Sequence, residues 1–137
     1  MNPSQKTLSD CYQHLGKLFY AVAAIDKTIE QAEVEKLKKI VKEKWVPLEN
    51  SVDKFGEDSA YQIEIVFDWF VANDFSEDVS YQILAEFTAF KKEHPKLFSK
   101  ELKDLILTTG HAIAAAFTGL NKSELVFLTK LQLELLK

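Results

Sequence analysis

Leu15–Val41, LGKLFYAVAAIDKTIEQAEVEKLKKIV, is the stretch whose reading decides the fold. Its first part carries apolar residues at three- and four-residue steps, and its second part resumes that spacing through Ile29, Val34, Leu37, Ile40 and Val41. Between them Asp26, Lys27 and Thr28 break the pattern. Helix, tight acidic turn, helix is the reading. Ala21, Ala23 and Ala24 narrow the end of the first helix and let a neighbouring helix approach closely.

Outward from this stretch the same spacing continues. Leu8, Cys11, Tyr12, Leu15, Leu18, Phe19 and Val22 predict a first helix from near Thr7 to Ile25. The second starts near Glu30 and stops by Pro47, because proline disfavours a helical conformation in the residue before it. Trp45 and Val46 pack at that end. Asp58 or Ser59 caps a third helix with Ile63, Val66, Phe67 and Phe70 inward. Ser76 caps a fourth, with Val79, Ile83, Leu84, Phe87 and Phe90 inward and His94-Pro95 as its stop. Ser99 caps a fifth, carrying Leu102, Leu105, Ile106, Ile113 and Ala116. Asn121 with Glu124 forms a capping-box pair for a sixth that runs almost to Lys137. No strand-like alternation competes. The predicted fold is all-α, a bundle of six helices with a short seventh near Pro47, in a single domain over residues 1–137.

Ile106–Gln132 is a fainter copy of the opening stretch. Gapless superposition pairs Ala21 with Ala112, Val22 with Ile113, Ala23 with Ala114 and Ala24 with Ala115. It also pairs Ile29 with Leu120, Glu33 with Glu124, Val34 with Leu125, Leu37 with Leu128 and Ile40 with Leu131. Two similar helical hairpins packed around the third and fourth helices would satisfy this pattern.

These residues resemble the TerB-like (tellurite-resistance) family of small helical proteins. The family pattern is Ala-x-x-Asp-Gly, an aliphatic residue, a helix cap and a glutamate opening the next helix. Ala23-Ala24-Ile25-Asp26, Ile29 and Glu33 follow it, while Lys27 replaces the glycine and Glu30 the usual Ser or Thr. The second copy keeps Glu124 but has Phe117 in place of the aspartate. The resemblance implies a non-enzymatic stress-response or interaction module, and acidic residues in these turns are linked in the family to divalent metal binding.

Composition excludes several other classes. Hydrophobic residues make up 47% of the chain, which suits a globular core rather than disorder. The formal net charge of −4 supplies no field for nucleic acid or an anionic membrane. Lys36, Lys38, Lys39, Lys42 and Lys44 are interleaved with Glu33, Glu35 and Glu43, the pattern of a solvated helix face. One cysteine, Cys11, permits no intrachain disulfide. With neither a signal peptide nor the roughly 18 apolar residues of a membrane span, the expected location is the cytoplasm.

The candidate site is the acidic turn. Asp26 stands near a helix C-terminus, where the dipole disfavours an anion, and Glu30 and Glu33 open the next helix. Together with a loop carbonyl they offer oxygen ligands to a weakly bound divalent cation. The alternative is structural, with the glutamates only capping helix two. An EF-hand is excluded by register. A loop counted from Asp26 has Gln31 where glycine belongs and Leu37 where the last glutamate belongs; one counted from Asp53 is spoiled by Phe55 and Asp58.

Cys11 and His14 share a helix face but make only half a zinc site, so a buried cysteine beside a surface histidine is expected. A haem or enzymatic role for His111 is the remote alternative, since no catalytic motif is present. The aromatic residues, Trp69 among them, read as core. Phe75, Phe98 and Phe127 are the candidates for an exposed apolar patch that would take a protein partner or a second copy.

Overall fold

The computed structural model describes residues 5–25, 29–48, 59–73, 79–116 and 121–137. All regular structure among them is helical. Helix α1 is Gln5–Ala24, α2 is Gln31–Ile40, α3 is Gln62–Asn73, α4 is Ser80–Glu93, α5 is Lys100–Ala115 and α6 is Lys122–Leu136. The all-α prediction is borne out.

The centre of the bundle is α1, where the sequence reading put the third and fourth helices between two hairpins. Leu18, Phe19, Tyr20, Ala21, Val22 and Ala23 are all buried, so this end of α1 meets protein on every side. It packs on α3, α4 and α5. The alanines admit one of these neighbours closely, and the buried hydroxyl of Ser80 donates to the carbonyl of Ala21 at 2.9 Å. Helix α2 lies against α5, and α6 against α5, α1 and α4. The two copies of the repeat are therefore interleaved. Leu15 and Ile106, Val22 and Ile113, Ala23 and Ala114, and Leu37 and Leu128 are buried in both.

Helix α2 does not stop before Pro47. It widens into a π turn, Val41–Trp45, and adds a last helical turn, Val46–Leu48. The Val46 N–H donates to the Val41 carbonyl, five residues back. This local widening carries the chain past a residue that an α-helix interior would reject. It also delivers Trp45 to the core, where the indole N–H donates to the hydroxyl of Thr109 at 3.1 Å.

Ser99 caps α5 as expected, accepting the Leu102 N–H at 3.2 Å. Helix α4 begins at Ser80, and the cap expected at Ser76, like Asp58, lies outside the described residues. Among the described residues no helix is long and apolar enough to cross a membrane.

Candidate functional site

Of the three carboxylates assigned to a cation, Asp26 lies outside the described residues. Glu30 is the N-cap of α2 in extended conformation. Glu33 is 0% exposed, and its Oε1 accepts the Glu30 N–H at 2.9 Å, closing a capping box. Glu124 in the second copy is buried in the same way. Its Oε1 accepts the Asn121 N–H at 3.0 Å, while Asn121 Oδ1 accepts the Glu124 N–H at 2.8 Å. One device thus opens the second helix of both copies of the repeat. Each glutamate satisfies an amide that the helix geometry leaves without an intrahelical acceptor.

Among the described residues no group of three His, Cys, Asp or Glu side chains converges as a metal site. Cys11 is buried in the core. His14 is not the surface residue expected from its neighbours. It is half-buried, its ring 4.6 Å from that of Phe90, which also lies 4.6 Å from His94. Burial lowers the His14 pKa from 6.5, and Lys17 lowers it further; Glu86, Asp10 and Glu93 pull the other way. A histidine with a depressed folded-state pKa binds its proton more readily when unfolded. Its stabilisation is therefore present in full above about pH 6.5 and is lost as the pH falls through the folded value. Melting temperatures measured from about pH 8 to about pH 5 should fall less steeply in His14→Gln than in wild type. Identical profiles would remove His14 from the account. His111 is exposed on α5.

Among the described residues, exposed apolar side chains stand at positions other than Phe98 and Phe127. Phe98 and Phe127 are buried, at 5% and 0% exposure, and Phe75 lies outside the described residues. Phe98 is held by the rings of Phe87 and Phe90, and Phe127 by Tyr81. Solvent instead meets Tyr81, Leu133 and Leu136 along an open groove of about 830 Å³ between α4 and α6. Leu84, Ala85, Thr88 and Ala89 form its other wall.

The rim of this groove is cationic. The ammonium groups of Lys92, Lys130 and Lys137 face it, with Glu134 as the single acidic side chain. Lys137 lies 3.0 Å from Glu134, and the Lys130 ammonium stands 4.8 Å from the centre of the Tyr81 ring. A second exposed apolar feature is the ridge of α3. Ile65 and Trp69 are 51% and 56% exposed there, one turn apart. Trp69 had read as core. The helical rotation that turns Phe67 inward sets the residue two positions on nearly opposite, toward water.

Comparison of the chain with protein-family models, with curated proteins and with solved structures gave no match.

The groove has a signal in the sequence. Helix α6 carries Leu125, Val126, Phe127, Leu128, Leu131, Leu133, Leu135 and Leu136, more apolar residues than one buried stripe holds. Phe127, Leu128, Leu131 and Leu135 occupy the core, and the other four are left at the surface.

Proposed function

We propose that this chain is a non-enzymatic helical interaction module, in keeping with the TerB-like resemblance, and that it receives an apolar helix in the groove between α4 and α6. The observation that carries this reading is the groove itself. Its walls are apolar, one is built of small residues that admit a close neighbour, and the cations stand at its edge. An enclosed small-molecule site would converge several polar groups on one point, whereas this trough is open and lined along two helices. Docking an amphipathic helix against an apolar groove is a recurring mode of recognition.

The test is a set of fluorescent helical peptides sharing one apolar face and differing in flanking charge, titrated by anisotropy. Saturable binding that Leu133→Asp abolishes supports the reading. Failure of every peptide to bind, or binding unaffected by Leu133→Asp, would overturn it.

Under the same proposal the acidic turn serves the fold rather than an ion. Glu33→Ala is expected to cost about 1–3 kcal/mol by stranding the Glu30 amide, and Glu33→Gln, which keeps an acceptor, clearly less. Calcium, magnesium, manganese and zinc are expected to leave the melting temperature unchanged. A ligand that binds only the folded state must raise it, so a shift lost in Asp26→Ala would restore the cation reading.

A further inference from the structure

We infer that the groove between α4 and α6 receives the α3 ridge of a second copy of this chain. This rests on the reading of the groove as a docking surface and names its occupant. The ridge has what the groove lacks. Ile65, Trp69 and Ala72 follow one another at helical spacing on the solvent side of α3. Glu64 and Asp68 run beside them, with Lys38 bound to Asp68 at 3.1 Å.

Two carboxylates and one ammonium on the ridge thus face three ammonium groups and one carboxylate in the groove. The groove is locally positive on a chain whose net charge is −4, so its charge is set against that of the chain as a whole. The ridge is also short enough to lie within the groove. Ile65 to Ala72 spans about 10 Å of helix, and the α4 wall from Tyr81 to Lys92 about 16 Å. Tryptophan is the residue type most often found at the energetic centre of such contacts, and Ala85, Thr88 and Ala89 leave room for one.

Groove and ridge are different patches of one chain, so a single contact uses the groove of one copy and the ridge of the other. The contact is small and belongs to the weak, transient class of association.

Sedimentation velocity from about 10 µM to about 1 mM is the measurement. The wild-type sedimentation coefficient is expected to rise with concentration, and less at high salt, where the charge pairing is screened. Leu133→Asp and Trp69→Lys, both at exposed positions, are each expected to keep the wild-type circular dichroism and to stay monomeric. Mixed together they should form one-to-one dimers, because the first retains its ridge and the second its groove.

A wild type that stays monomeric would overturn the inference, as would either variant associating like wild type or a mixture that fails to recover. If helical peptides still enter the groove of a monomeric wild type, the docking reading survives and only its occupant is wrong. If neither binds, both fall.

Discussion

Trp45→Ala is expected to lower the free energy of unfolding by about 3–5 kcal/mol, the usual cost of truncating a core aromatic. Trp45 is 0% exposed and is the largest fully buried side chain among the described residues. Its ring lies 6.4 Å from Tyr12 and 6.0 Å from Phe19, both edge-on, so it fills the space where the π turn meets α1. Its N–H reaches across to Thr109 on α5. Truncation opens a cavity bordered by three elements and leaves a buried hydroxyl without its donor.

Trp45→Phe separates the two contributions. It keeps most of the ring and loses the hydrogen bond, for an expected cost of about 1–2 kcal/mol. Urea titrations followed by circular dichroism measure both. The exposed Trp69→Ala is the control, expected within about 0.5 kcal/mol of wild type. A loss for Trp45→Ala no larger than the control's would mean that the indole is not where the core requires it. A total stability of about 5–15 kcal/mol makes the predicted loss a large share of the whole.

The sequence exposed the helices because their periodicity is local. Ser99, Asn121 and Glu124 cap where their types and spacing say, since a cap depends on residues three positions away. The stretch from Leu15 to Val41 announced its two helices for the same reason. Which helix sits in the middle was less legible. Six successive buried residues from Leu18 to Ala23 are visible as an apolar run, but an apolar run does not name its neighbours.

The site is the least legible part of the sequence, for two physical reasons. Helical spacing identifies a buried stripe and then runs out, so it could not sort Phe98 and Phe127 from Tyr81 and Leu133, whose placement depends on which helices meet. The carboxylates were ambiguous in kind. Glu30 and Glu33 at the start of a helix suit a cap and also offer oxygens to a cation. The Glu33 contact with the Glu30 amide is a feature of the folded chain. The fit of the groove to the ridge on α3 is further still from sequence, because it joins residues of three helices.

Gly16→Ala is expected to destabilise the fold by about 2 kcal/mol, although alanine in a helix interior normally gains about 1 kcal/mol over glycine. A Cβ at Gly16 would lie 2.6 Å from the backbone oxygen of Ile63 and 2.9 Å from Val66 Cβ. Neither atom can rotate away. Helix α3 would have to move off α1, which strains the packing around Ile63 and Phe67 and outweighs the propensity gain.

Gly110 on α5 supplies the comparison. A Cβ there would meet Leu128 Cδ2 at 3.0 Å, the end of a flexible side chain rather than backbone. Gly110→Ala is therefore expected to lie between neutral and about 1 kcal/mol more stable. Paired thermal melts of the two variants decide the matter. Equal shifts in the two would show that α1 and α3 do not touch at Gly16. Opposite shifts would establish that contact, and with it the seat of the helix that carries Ile65 and Trp69 to the surface.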